Sequence, residues 1–387
     1  MGCTDPMAVN YSAAATLNDG SCVYELTNYT MQHVADLSSP SCDENSGIIF
    51  FDGHLWSIND GGNLNVIYQL DTTGIITREI VVSNALNIDW EGISQNSESI
   101  FIGDFGNNSG NREDLCVYEI NKSEIQDPLV TDVTAIKRVF KYEDQSDFTW
   151  NSNAHNYDCE AFIATEDSLY LFSKNWLNEE TNLYVLPTTW IDTAIASLNQ
   201  NLNVDGLITD ATINPISGRL MLLGYKNNGS NLYSSFIWVM WDFEENQFFT
   251  GNKRRIEIGS MFTLAQTEGI ALKNGTSGFV SSEQISSVIT IPAKLLRFDF
   301  SNYLEEELLQ IHDQKGIELK ISPNPAEQKI RLENFSGNYF VYEVASLKCV
   351  LQGTSGSKEI DVSSLRPGVY FIKSADSIVK FIKVKEQ

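Results

Sequence analysis

NIDWEGI (residues 87–93), followed at a short interval by SIFIGD (residues 99–104), is the stretch that decides how this chain folds. A polar, acid-bearing opening runs into an apolar run, a turn follows, and a second apolar run closes on another acid. Runs of this length, rich in β-branched and aromatic residues and bounded by turn residues, are strands. The unit recurs. Its copies start at SGII (46–49), WEGI (90–93), CEAF (159–162), TDATI (209–213) and TEGI (267–270). Second strands follow at HLWSI (54–58), SIFIG (99–103), SLYLF (168–172), RLMLL (219–223) and GFVSS (278–282). Third strands follow at VIYQL (66–70), LCVYEI (115–120), NLYVL (182–186), FIWVM (236–240) and LLRFDF (295–300). Fourth strands are visible after some copies, as at IITREIVV (75–82) and KRRIEI (253–258).

Four short antiparallel strands, repeated, describe the blade of a β-propeller. The expected fold is all-β: a propeller over residues 24–300, with five blades by repeat count. Six are possible if another blade lies within 131–156 or 186–207. The fifth copy lacks a visible fourth strand, while YELTNYTM (24–31) is a strand without a partner. Pairing the two would close the ring and remove its open edges. Two short stretches read as helical, 190–199 and 301–312, the second within a linker over 301–316.

The repeat also places acids in register. Asp89 and Glu91, Asp158 and Glu160, Asp210, and Glu268 all sit at the start of a first strand. First strands line a propeller's central channel, so acids at their starts converge on one mouth. The ends of the second strands lie beside them and bring Asp60, Asp104, Lys174, Lys226 and Glu283. Carboxylates crowded in a small mouth repel unless a cation or protons neutralise them. Calcium, with six to eight oxygen ligands and flexible geometry, suits Asp60, Asp89, Glu91, Asp104, Asp158, Glu160 and Glu268. Lys174 and Lys226, with Arg112 and His155, are the candidate ligand-binding residues. The alternative is structural: acids that cap strands and pair with Lys174, Lys226 and Arg112. His155, in an Asn-rich turn, is a base, a ligand or simply a turn residue. Neither a G-x-S-x-G elbow nor an H-E-x-x-H motif is present. The tryptophans fall mostly on strands and read as core, with Trp90 and Trp176 close enough to the mouth to stack on a sugar.

Charge is unevenly distributed. Residues 315–387 hold 11 Lys/Arg against 8 Asp/Glu, a net of +3, which leaves −28 of the chain's −25 on residues 1–314. Such a body repels phosphate, which excludes nucleic acid and anionic membrane as partners. No apolar run approaches the ~20 residues that span a bilayer. The opening MGCTDP has neither a basic n-region nor an apolar h-region, so the natural N-terminus is expected to lie upstream of residue 1.

The C-terminal stretch, residues 317–387, alternates like strands between turn signals and is expected to form a small antiparallel β-sandwich. It carries IELKISPNP (317–325), KIRLE (329–333), LRPGVYFIK (365–373) and VKFIKVK (379–385). These linked motifs resemble the type A C-terminal sorting domain of the type IX secretion system of Bacteroidota. That resemblance implies export, engagement of the secretion machinery, and residence outside the cell or on the outer-membrane surface. It also implies removal of the domain, with a cleavage point expected around 310–318.

Residues 2–23, GCTDPMAVNYSAAATLNDGSCV, resemble a short repeat, CTDPxAxNYxxxATxDDGSC, found in secreted proteins of Bacteroidota. Residues 1–23 are read as a unit clipped by a Cys3–Cys22 disulfide, and Asp5, Asn18 and Asp19 could offer oxygens to calcium. The middle region resembles a propeller group whose blades begin D-x-E-G-I/L-A, including phytase-like and SdiA-regulated domains. DWEGI followed by SIFIGDFGNN and Arg112, with LWSINDGGN in the first copy, carries that likeness. It implies Glu91, Glu160 and Glu268 as channel acids, with Asp60 and Asp104 nearby. The fourth copy departs with Asp210-Ala where Glu-Gly is expected, and the third has Ala161 for Gly.

Two functions fit. The first is a secreted binding module with a cation site at the mouth, taking a glycan, a small molecule or a protein. The second is a calcium-dependent hydrolase of phosphoesters or lactone-type esters.

Overall fold

A computed structural model describes residues 1–37, 41–215, 217–229, 232–286, 290–304, 320–333, 338–343, 349–354, 359–374 and 377–385. Five four-stranded antiparallel units follow one another along the chain. Blade one runs Asn45–Phe51, His54–Asn59, Val66–Leu70 and Ile76–Val82. Blade two runs Trp90–Gln95, Ser99–Asp104, Cys116–Asn121 and Ile136–Tyr142. Blade three runs Asp158–Ala164, Ser168–Lys174, Glu180–Pro187 and Thr193–Asn203. Blade four runs Leu207–Ile213, Leu220–Asn227, Tyr233–Trp241 and Asn252–Ser260. Blade five runs Gln266–Leu272, Ser277–Glu283 and Lys294–Asp299, and Gln32–Asp36 from the N-terminal side completes it.

The five first strands touch one another in cyclic order, the fifth against the first, so the ring is closed. This is a five-bladed β-propeller. Each first strand is buried almost throughout, because a neighbouring blade covers both its faces. That explains why the copies read as continuous runs of apolar and small residues. The fourth strand Asn252–Ser260, with one face wet, alternates instead. Apolar cores lie between adjacent blades. Trp56, Trp90 and Ile102 fill the first junction, and Phe101, Phe105 and Phe162 the second. Phe172 and Phe236 fill the third, Leu223 and Val280 the fourth, and Ile48 and Phe279 the one that closes the ring. Each such side chain contributes roughly 1.5–3 kcal/mol by leaving water.

Three expectations change. The strand that completes blade five is Gln32–Asp36, not residues 24–31; Thr27–Asn28 instead runs parallel to the outer edge of blade four. Residues 190–199 are not helical: Thr193–Asn203 is the outer strand of blade three, with Ala196 buried and Ile195 exposed. Here the ladder offered by Glu180–Pro187 outweighs local helix preference. Neither 131–156 nor 186–207 holds a sixth blade, since their strands serve blades one, two and three. Blades two and three are further joined by parallel pairing of their outer strands, Val139 opposite Thr193. The helix-like stretch 301–312 and the expected cleavage point lie largely outside the described residues.

Residues 1–24 belong to the propeller unit. Cys3 and Cys22 form a disulfide. Asn18 donates to Asn252 Oδ1 at 3.0 Å, and Arg254 stacks over the Tyr24 ring at 5.3 Å.

The second compact unit contains the C-terminal strands. Lys320–Ser322, Lys329–Glu333 and Glu359–Asp361 form one antiparallel sheet. Cys349–Thr354, Asn338–Glu343, Gly368–Ser374 and Ser377–Lys383 form the other. Ile330, Val341, Ile360, Ile372 and Phe381 make a shared core, as a small sandwich requires. The PNP segment is tied to the last strand: Asn324 Nδ2 donates to Lys380 O at 3.0 Å and Oδ1 accepts from Ile382 N at 2.9 Å.

Candidate functional site at the channel mouth

In all five blades the pairing of first and second strands slips by one residue at the same place. The extra residues are Ser46, Glu91, Glu160, Thr209 and Glu268. A β-bulge re-aims the side chain it inserts. Ser46, Glu91, Glu160 and Glu268 line a cavity of about 160 Å³ at this end of the ring. The residue after each bulge abuts the next blade. A Cβ on Gly92 would lie 2.9 Å from Glu160 O, and one on Gly269 3.0 Å from Ile48 N. The Glu-Gly pair of the repeat thus has two jobs: the acid faces the mouth, and the glycine lets the neighbouring backbone approach.

This register corrects the place of Asp210. Thr209 is the counterpart of the glutamates, and Asp210 occupies the glycine's place. Its carboxylate accepts from Ala211 N at 2.7 Å and, in blade five, from Ile270 N at 2.6 Å. It ties two blades together and does not line the cavity.

Asp60, Asp89 and Glu91 each offer a carboxylate oxygen, and these oxygens lie within 4.8 Å of one another. Two glycines wrap this cluster. A Cβ on Gly61 would sit 2.3 Å from Asp89 Oδ1, and one on Gly106 2.4 Å from Glu91 Oε1 and 2.5 Å from Asp89 Oδ2. Burial, then repulsion from Asp60, raises Asp89 from its ordinary 3.8 to about 7. Glu91, fully enclosed, is pushed well above the usual carboxylate range by burial and then by Asp60 and Glu160. Asp60 is raised by burial as well. Across the cavity, burial raises Glu268 and Glu283 from 4.5 to about 8.

Lys174 pairs with Glu160 and lies 5.0 Å from the Trp176 ring centre and 5.3 Å from that of Tyr225. Burial opposes its charge, yet Glu160 and the other acids hold the ammonium protonated. Glu160 Oε2 is buried without a hydrogen-bond partner.

The remaining expected residues go elsewhere. Asp158 uses both oxygens internally, accepting from Asn107 N at 2.7 Å, Cys159 N at 3.1 Å and Trp176 Nε1 at 2.8 Å. Asp104 accepts from Asp89 N at 3.1 Å and from Arg112 Nη2 at 2.9 Å. Arg112 also donates to Asp114 Oδ1 and Gly106 O, which braces the 104–112 loop beside the cluster. Lys226 pairs with Asp205 and is not brought to the cavity; its blade-four neighbour Tyr225 is. The pairing explains why: Tyr225, not Lys226, lies opposite the first residue of Leu207–Ile213. His155 Nδ1 accepts from Tyr157 N at 3.1 Å, so its Nε2 donates to Asn108 O at 3.1 Å. It staples two loops together. In the N-terminal unit Asp5, Asn18 and Asp19 accept from Met7, Gly20 and Ser21 backbone N–H groups, as turn residues do.

Ser46, Asn108, Tyr225 and Gln266 also line the cavity, with Gln266 Nε2 donating to Glu268 Oε1 at 2.6 Å. Sequence reading missed these four. Gln266 sits opposite Glu283 in the pairing, and an alignment of the copies on the bulge residue, rather than on the acids, would have found Ser46.

No curated protein matches this chain in sequence. Among solved structures, the catalytic domain of a GH62 α-L-arabinofuranosidase from Coprinopsis cinerea aligns at 11% identity. It covers 70% of this chain and 96% of its own, with a TM-score of 0.40. A GH32 β-fructofuranosidase from Bombyx mori aligns at 8% identity, over 92% of this chain and 89% of its own, with a TM-score of 0.41. At those values neither bears on what this chain binds or does. Residues 320–384 match the model of the secretion system C-terminal sorting domain. The chain carries a type IX sorting domain, which engages the secretion machinery and marks a secreted or cell-surface protein.

Proposed function

We propose that the propeller is a surface-displayed or released binding module of Bacteroidota type that holds a calcium ion at its channel mouth. The observation behind this reading is the open cluster of Asp60, Asp89 and Glu91, wrapped by Gly61 and Gly106. Three acids held so close cost free energy when ionised, and a hard divalent cation with flexible coordination offsets that cost. Carbonyl oxygens and water would complete the shell. Zinc fits less well, since no histidine or cysteine joins the group.

Binding is favoured over hydrolysis of phosphoesters or lactone-type esters. Lys174, Arg112 and Lys226 are each neutralised by a carboxylate, so none is set to receive a phosphate. The Ser46 hydroxyl donates to Glu91 O at 2.8 Å, and no histidine among the described residues lines the cavity.

The test is a calcium titration of the full chain, followed by thermal unfolding and by a panel of p-nitrophenyl phosphate and ester substrates. Calcium should raise the midpoint by several degrees without turnover, and Asp89→Asn should weaken uptake at least tenfold. A midpoint indifferent to calcium would refute the cation site, and turnover lost in Asp89→Asn would establish the hydrolase.

A further inference from the structure

The acids of blades three and five outnumber their counter-charge even when a cation occupies Asp60, Asp89 and Glu91: Glu160, Glu268 and Glu283 share the single ammonium of Lys174. Glu268 accepts one bond from Gln266, and the Glu283 carboxylate has no hydrogen bond or ion pair among the described residues. Glu160 is 4% exposed, pairs with Lys174 through Oε1, and keeps Oε2 buried and unpartnered while lining the cavity. A buried carboxylate without a counter-charge is costly. A second metal ion does not answer this, because Asp60, Asp89 and Glu91 are the one grouping of metal-ligand type among the described residues. An ammonium does, since its three donors need only two or three acceptor oxygens. Lys174 already displays the chemistry, with its ammonium on a carboxylate and close to two aromatic rings.

The surroundings say what carries that ammonium. The connections at the mouth end join second strands to third, and each fourth strand to the next blade. They expose Leu64, Leu86, Trp150, Leu177, Leu232 and Phe262, each 43–69% accessible. All five blades border one of these positions. Mostly aliphatic side chains around a charged centre suit a protein surface better than a glycan. The loop bearing Trp150 is anchored beside the cavity: Asn151 N donates to Ser109 O at 2.9 Å, and Asn153 N to Asn108 O at 2.8 Å. A net charge of −28 on residues 1–314 steers basic partners toward this body.

We propose that the mouth receives a lysine side chain of a protein partner, its ammonium held by Glu160, Glu268 and Glu283 and its flanking apolar residues resting on the rim. The inference rests on the cation reading for the other half of the cavity, but it is tested separately. The probe is a short acetylated, amidated peptide with one lysine between leucines, titrated calorimetrically into the calcium-loaded full chain. The same peptide with its side-chain amine acetylated is the control. The lysine peptide should bind, with the acetylated form at least tenfold weaker. Glu283→Gln should weaken the lysine peptide about tenfold and Trp150→Ala about threefold, while calcium uptake by both variants stays within twofold of the parent. No binding of the lysine peptide at millimolar concentration, equal binding of the acetylated form, or preference for a methyl glycoside over the peptide would each overturn the proposal. Failure of the cation reading would show separately, as absent calcium uptake in the parent protein.

Discussion

Glu91 and Asp210 occupy adjacent places in the same repeated strand, and they do opposite work. Asp210 is fully enclosed and spends its oxygens on backbone N–H groups of its own blade and the next. Glu91 is buried too, yet its side chain lines the cavity, receives only a long 3.5 Å contact from Ser46 and stands among other acids. The bulge sets the difference, because a single extra residue decides whether a side chain turns to the mouth or to the neighbouring blade. A buried acid whose oxygens are taken up by the backbone is part of the frame. One left open among like charges is a place for something else.

Replacing the two residues should break this pair most visibly. Asp210→Ala strands the Ala211 and Ile270 N–H groups in the interior and should cost about 3–5 kcal/mol in urea or thermal unfolding. Glu91→Gln removes a repelling charge and should leave calcium-free stability within about 0.5 kcal/mol of the parent or raise it. Equal losses for both would erase the distinction.

The pH profile sharpens it next. Glu268 and Glu283 ionise near 4.5 in the unfolded chain but near 8 in the fold, and Asp89 near 3.8 and 7 respectively. Between those values the folded state holds more protons than the unfolded one, so stability falls as pH rises from about 4 to 8 and then levels. Without calcium the thermal midpoint should therefore be several degrees higher at pH 5 than at pH 8.5, and calcium should narrow the gap. A calcium-free profile that rises over this range would contradict the open cluster.

The smallest change tests shape alone. Gly106→Ala keeps every carboxylate but puts a methyl where Asp89 and Glu91 point. Calcium affinity should fall about tenfold, roughly 1.4 kcal/mol, with little effect on calcium-free unfolding. Unchanged affinity would mean that the glycine does not shape the cluster.

The strand repeat was legible because covered first strands must be apolar and outer strands must alternate, and both patterns stand in the sequence. The sorting domain was legible for a similar reason: PNP and LRPGVYFIK are local motifs whose structural partners are few. The closing strand and the outer strand of blade three were not, since only a neighbouring ladder makes Gln32–Asp36 or Thr193–Asn203 extended. Within the site, Asp60, Asp89, Glu91, Glu160 and Glu268 could be picked out as acids in register. Their separation from Asp158, whose oxygens go to Trp176 and Asn107, and from Asp104, which pairs with Arg112, could not.

The sequence by itself determined the repeated strand unit and its five visible copies, which strand of each faces the channel, and that the chain carries a secretion address. Periodicity and short motifs are properties of neighbouring residues, so they survive without coordinates. The tertiary structure alone decided which acids remain open, that Tyr225 rather than Lys226 reaches the mouth, and that Asp210 is a tie between blades. Those outcomes depend on a one-residue slip in strand pairing and on hydrogen bonds between residues as many as sixty positions apart. No local pattern records them.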